Sequence, residues 1–322
     1  MRHNGCANVS QPCEKTTPRM PRFLRTAPHL FFVAILMWSS FEATVATAVP
    51  ADKHNAATLL AMQAEFQTQL QAKTFGEPLH LASQDTGTRL HADVYAELNA
   101  PFTAVSTLLT GPEALCDVLF LHLNVRACEA KHGPDGNVLM LTAGPKQSGS
   151  VGSSYSMAYT MQVDAVNADY LRVTLVAPDG PLSTSDYRIV FEATPLDGQR
   201  SFLHFSYGYS YGSMAKMALN LYLATAGRNK IGFSVLGKTS DGKPQYVQGE
   251  RGSVERNVMR NYLALQAYTS VKSGTPAAQM DARLRAWFAL TERHSAQLHE
   301  LTLEEYLAQK REDLAKATIA VK

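Results

Sequence analysis

The chain has 322 residues with a formal net charge of +2, 45% hydrophobic and 18% charged residues. Length and apolar content suit one substantial core with helical additions, or two small domains, and speak against disorder. Near-neutral charge excludes the broad basic footprint of a nucleic-acid binder.

The amino terminus reads as a removable leader. Arg22 and Arg25 precede the apolar run Leu30–Trp38, and Ala46-Thr47-Ala48 follows. A charged start, a short apolar run and a small-x-small site make a secretory signal peptide. The run is far shorter than the roughly 20 residues that span a bilayer. Met20 stands where such a peptide normally begins. Residues 1–48 are therefore set aside. The expectation is an exported protein, periplasmic or secreted, with no transmembrane anchor after processing. Basic and acidic residues are then almost balanced, and Cys116 and Cys128 are the two cysteines left. One disulfide is the simplest reading in an exported chain, with two separate buried thiols as the alternative. Their spacing to His122 and His132 matches no strong metal pattern, so neither metal nor cofactor is expected.

Residues 55–73 read as a helix, with Leu59, Met62, Phe66 and Leu70 at three- and four-residue steps. Residues 49–84 are assigned to this N-terminal helical segment. "RLHADVYAEL" (89–98) alternates as a half-buried strand. Pro101 opens a short helix, Gly111-Pro112 ends it, and a second begins at Glu113. Read as one strand, 117–128 would hold its ends more than roughly 30 Å apart, too far for a Cys116–Cys128 bridge. A helix to about Leu121 followed by a returning strand brings them together.

A run of strands follows at 137–143, 153–166, 170–177, 186–194 and 200–212, separated by Gly, Pro and Asp turns. Short connections imply antiparallel neighbours. In 200–212, Leu203, Phe205, Tyr207, Tyr209 and Tyr211 share one parity, and His204, Ser206, Gly208 and Ser210 the other. Met214, Met217, Ala218, Leu221, Tyr222 and Thr225 then repeat at helical spacing. A strand at 230–238 and a long helix at 252–271 come next. After Gly274 only helices are expected, in a tail (275–322) read as a C-terminal extension, a candidate surface for a protein partner.

The order is strand, two short helices, antiparallel strands, long helix. With "ADVYAELNAPFTAVSTLLTGPEAL", it resembles START-like (SRPBCC, helix-grip) domains over roughly 85–274. "KIGFSVLGK" with "GERGSVERNVMRNYLALQAY" is also similar to a group of exported bacterial START-like proteins without an assigned reaction. The resemblance implies an α+β fold in which a curved antiparallel sheet grips a long C-terminal helix around a cavity for lipids, sterols, polyketides or other apolar molecules; some members are cyclases or hydrolases. Two helices compete for the gripping role, with 252–271 favoured over 213–226.

Candidate cavity residues from the alternation are Tyr155, Met157, Tyr159 (with Met161), Tyr207, Tyr209 and Tyr211, because Tyr joins apolar area to a polar tip and Met adapts to irregular shapes. Arg256 and Arg260, one turn apart, are candidates to grip an anionic head group. Each has an ordinary alternative: core or sheet packing for the first set, solvated helix surface for the arginines. Catalytic motifs are lacking, and His204 beside a carboxylate such as Asp186 or Glu192 is the one arrangement that would indicate an enzyme of the same cavity. The leading expectation is non-catalytic binding of a hydrophobic or amphipathic small molecule. The alternatives are a cyclase- or hydrolase-type enzyme and an interaction module acting through the terminal helices.

Overall fold

The computed structural model describes residues 54–134, 136–144, 154–225 and 227–320. The leader and its processing site lie outside the described residues. Ten strands and nine α-helices alternate among the described residues, and residues 51–322 cluster as one unit.

Two short helices, α1 (Ala56–Glu65) and α2 (Gln67–Ala72), come first, where one was expected. Asn55 caps α1 by accepting the Thr58 amide at 2.9 Å. The strand β1 (Leu79–Asp85) follows within the segment read as helical. Its alternation is only two residues deep, Leu79 and Leu81, too short to be visible as a pattern. It pairs with β2 (Arg89–Leu98), whose Leu90, Ala92, Val94, Ala96 and Leu98 are all buried on one face.

The helices α3 (Phe102–Thr110) and α4 (Pro112–Phe120) lead into β3 (Val125–Gly133). Cys116 on α4 and Cys128 on β3 form a disulfide with Cα atoms 5.2 Å apart. The chain then meanders through β4 (Gly136–Ala143), β5 (Tyr155–Val166), β6 (Leu171–Asp179), β7 (Thr184–Pro195) and β8 (Ser201–Tyr211). These eight strands make one antiparallel sheet in the order β1-β2-β8-β7-β6-β5-β4-β3. Only β2–β8 joins strands distant in sequence. The crossover through α3 and α4 carries the chain from β2 to the far edge, and the meander brings it back.

The helix α5 (Ser213–Ala224) is followed by a small two-stranded sheet, β9 (Val235–Lys238) with β10 (Pro244–Tyr246). The strand expected at 230–238 is thus four residues long and outside the main sheet. The long helix α6 (Gly249–Ser270) lies in the curve of that sheet, against β1, β2 and β8, with α4 and the next helix behind it. It is the gripping helix. Surrounded on all sides, it buries Glu255, Arg256, Met259, Arg260 and Leu263 as well as the expected Val254, Val258, Tyr262 and Leu265, so its periodicity is blurred. By contrast α5 turns its expected stripe outward: Met214, Met217 and Leu221 are 53%, 71% and 66% exposed. The Tyr222 side chain is outside the described residues.

The tail folds as α7 (Pro276–Glu292), α8 (Ser295–Leu298) and α9 (Leu303–Ala320). The expected Thr302–Glu305 capping box is present, with each amide bonded to the other's side chain. Trp287 of α7 is buried and its indole N–H donates to the Arg260 carbonyl of α6 at 3.0 Å. Tyr306, Leu307 and Lys310 of α9 are buried as well. The tail is therefore packed against the sheet-and-helix core.

Candidate functional site

The concave face of the sheet decides which parity of β8 meets α6. Leu203 and Phe205 are fully buried against the core, and Tyr207 and Tyr209 continue the same face toward the end of the strand. The bare parity faces the convex side. There Gly208 lies against the neighbouring strand so closely that a Cβ would meet His91 Nδ1 at 2.9 Å.

Tyr187 joins the stripe from β7, where the pairing with β8 shifts register between Ser185 and Arg188. Its ring stacks on Tyr209 at 5.0 Å between centroids and meets Tyr207 and Tyr159 edge-on at 6.4 Å each. Gly180 makes room for it, since a Cβ there would stand 2.3 Å from the ring. Burial pushes the pKa values of Tyr159, Tyr187, Tyr207 and Tyr209 upward, so these side chains are neutral phenols at physiological pH. The Tyr187 hydroxyl shares a hydrogen bond with Thr184 Oγ1 at 2.7 Å.

Opposite this wall lies the first half of α6. A cavity of about 320 Å³ separates them, lined by Tyr187, Tyr207 and Tyr209, by Ser253, Val254, Arg256, Asn257 and Arg260, and by His122 and Asn124 from the turn between α4 and β3. Arg256 and Arg260 are only 3% and 5% exposed, which overturns the reading of solvated arginines. Arg256 Nη1 donates to the Ile231 carbonyl at 3.2 Å. Arg260 Nη2 donates to the Leu298 carbonyl at 3.2 Å and to Glu300 Oε1 at 3.0 Å. Glu300 also pairs with Lys230 at 3.2 Å. Glu255 is fully buried and accepts from the Phe233 and Ser234 amides and the Ser83 and Ser234 hydroxyls.

Four of the eight candidate ligand residues thus converge: Tyr207, Tyr209, Arg256 and Arg260. Tyr155 is 38% exposed near the start of β5, while Met157 and Tyr159 are packed in the core. Tyr211 lies one step beyond the cavity and donates to Asp85 at 2.8 Å. The sequence reading did not point to Tyr187 or Asn124, and it weighed His122 only as a metal ligand. Tyr187 had a signal, because it shares the parity of Ile189 and Phe191. His122 and Asn124 had none, since they sit in the turn whose path only the disulfide constrained. His122 Nδ1 accepts from the Asn124 amide at 3.1 Å, so a neutral His122 carries its proton on Nε2.

A second polar cluster occupies the convex face. His204 Nε2 donates to Asp93 at 2.8 Å and its Nδ1 to Glu192 at 2.7 Å. Both partners only accept, so the ring is an imidazolium. Burial opposes that charge, but the two carboxylates outweigh it and raise the pKa of His204. For Glu192 burial is likewise outweighed, and the bonds from His204 and Tyr170 lower it to about 2. Arg172 Nη1 reaches Glu192 at 3.2 Å, and its Nε reaches Asp164 at 3.1 Å. The Tyr95 ring lies flat on His204, with centroids 4.4 Å apart. The helices α1 and α2 cover this side, with Leu59 of α1 and Leu70 of α2 packed in one cluster with Tyr95, Tyr170 and Phe202. His204 and Glu192 therefore do converge, but behind the sheet and away from the cavity.

Among the described residues no group of His, Cys, Asp and Glu could hold a metal ion, and no helix is long and apolar enough to cross a membrane. By element order, sheet topology and the helix held in the curve of the sheet, the chain has a START-like, helix-grip fold. No protein-family model matches the sequence, and no curated protein matches it. Solved structures similar in fold include a START superfamily protein from Mycobacterium smegmatis, 15% identical over 46% of this chain and 92% of that one, with a TM-score of 0.30. The Zhui aromatase/cyclase from Streptomyces sp. R1128 is 12% identical over 65% and 94%, at 0.31. A conserved protein from Geobacillus kaustophilus is 18% identical over 43% and 86%, also at 0.31. These are likenesses of fold alone.

Proposed function

We propose that this protein is an exported binding protein that holds an amphipathic small molecule in the cavity between β7–β8 and α6. One observation carries the reading: an aromatic wall of Tyr187, Tyr207 and Tyr209 faces two buried arginines across a cavity of about 320 Å³. Pockets that join apolar contact area to a few fixed polar groups are the usual form of a ligand site. Binding rather than catalysis is favoured because the His204–Glu192–Asp93 cluster lies on the other face of the sheet, away from the cavity. Export is supported by the leader pattern at 22–48 and by the Cys116–Cys128 bridge, a bond suited to an oxidising compartment.

Native mass spectrometry of the protein purified from its own host, before and after organic extraction, tests the reading. A bound small molecule lost on extraction and regained on addition is expected. A protein that carries nothing and takes up nothing from a broad library of apolar and amphipathic compounds is not a binder of this kind. Amino-terminal sequencing of exported material is expected to begin near Val49.

A further inference from the structure

The cavity's lining is unlike the lipid-sized apolar space expected from the fold. Among the described residues Val254 is its one aliphatic lining residue, and none of those lining it is a carboxylate. Two arginines point the same way from successive turns of α6, and the tyrosines across from them remain uncharged phenols. No protein hydrogen bond among the described residues reaches the Tyr207 or Tyr209 hydroxyl, so both present a polar tip at the aromatic wall. Two acids next to the arginines are held by other partners, while Asp85 and Glu250 act on Tyr209 from the end of the wall. Glu255 accepts bonds from the 233–234 segment and Ser83, and Glu300 sits between Lys230 and Arg260. The volume, about 320 Å³, is at the bottom of the range of about 300–1,000 Å³ that accommodates drug-sized ligands, and it leaves no room for two acyl chains.

We infer that the ligand is a compact aromatic oxyanion. Its flat body lies on the Tyr187–Tyr207–Tyr209 wall, and its carboxylate, or an equivalent oxyanion, faces Arg256 and Arg260. This deepens the binding reading above and rests on it. Aromatic faces offset from one another contribute beyond their buried area. A guanidinium in a site of low dielectric discriminates strongly between a charged and a neutral oxygen group. A neutral long-chain lipid would satisfy neither wall, and a long-chain carboxylate would meet the arginines alone.

Calorimetric titration of the full-length processed protein, stripped by extraction, with 2-naphthoate, 2-naphthamide and laurate separates the alternatives. These probes share either the ring or the charge, so the two walls are tested independently. Naphthoate is expected to bind at least tenfold more tightly than naphthamide and than laurate, with the gap narrowing at high salt. Arg256→Gln should reduce naphthoate to the affinity of naphthamide while leaving naphthamide unchanged. Arg260→Gln serves as a second variant, checked for folding by circular dichroism because Arg260 also holds Glu300. Equal binding of naphthoate and naphthamide by the unmodified protein overturns the inference without any variant. So does tighter binding of laurate, or a ligand recovered by mass spectrometry that has neither ring nor anionic group; in those cases the cavity reading stands. If no probe binds and no ligand is recovered, the binding reading itself falls.

Discussion

His204 shows how one residue can invert its meaning between sequence and structure. It stands in a row of small residues, and lone histidines there are easily read as catalytic. In the fold it is a buried imidazolium clamped by Asp93 and Glu192 beneath α1. Its pKa is raised above 6.5 by those carboxylates. The stabilisation is therefore complete below pH 6.5 and is lost as pH rises through the higher folded-state value. Glu192 is lowered from 4.5 to about 2, so its contribution is complete above pH 4.5 and is lost as pH falls toward 2. Thermal unfolding followed from pH 2 to 10 should show a plateau between these limits, and His204→Gln should remove the alkaline limb. Glu255 is a second residue whose role only the fold reveals. As a buried acceptor of four hydrogen bonds, its replacement by Gln leaves donors facing an amide nitrogen. A loss of roughly 3 kcal/mol in urea unfolding is expected; a loss under about 0.5 kcal/mol would contradict that role.

At the scale of elements, the turn between α4 and β3 is held from two directions. The disulfide ties its two flanks together over a separation of 12 residues. From the other side α9 grips the turn's carbonyls: Lys310 Nζ donates to Phe120, His122 and Val125 at 2.6, 2.8 and 2.6 Å. Tyr306 and Gln309 donate to Leu121 and Leu123 at 2.7 and 3.0 Å. The ammonium thus satisfies carbonyls that the end of α4 leaves without partners in the helix. Lys310→Met removes three buried hydrogen bonds, with the His122 carbonyl keeping another partner in the Val125 amide, and is expected to cost about 3 kcal/mol. Reducing the disulfide should cost about 3 kcal/mol through the unfolded chain's entropy. Both are read from denaturant midpoints at constant slope. His122 and Asn124 ride on this turn into the cavity, so both changes should also weaken probe binding.

For the whole molecule, the consequence is that the terminal helices belong to the domain. α1 and α2 seal the convex face, while α7 packs on the side of α6 that the sheet leaves open and α9 packs on α7 and β3. Removing residues 303–322 exposes Tyr306's and Lys310's partners together with the α7 surface around Trp287. The truncated chain is expected to lose its cooperative thermal transition. If it melts like the full chain, the tail is an appendage after all, and a role in partner binding regains its footing.

Strand alternation in 89–98 and 200–212, the helix at 252–271 and the bridge between Cys116 and Cys128 were legible along the chain. Each depends on short-range periodicity or on a distance that a strand cannot span. The pairing of Tyr207 and Tyr209 with Arg256 and Arg260 was partly legible, since each pair announces itself by chemistry and spacing. Which face of β8 turns inward was not, because both parities of an alternating strand are equivalent until something packs on one of them. The position of α5, the burial of Arg256, Glu255 and Lys310, and the arrival of His122 at the cavity were likewise decided only in three dimensions. Their environments come from residues 20 to 190 positions away, and no local pattern records which distant carbonyl or carboxylate a charged side chain will meet.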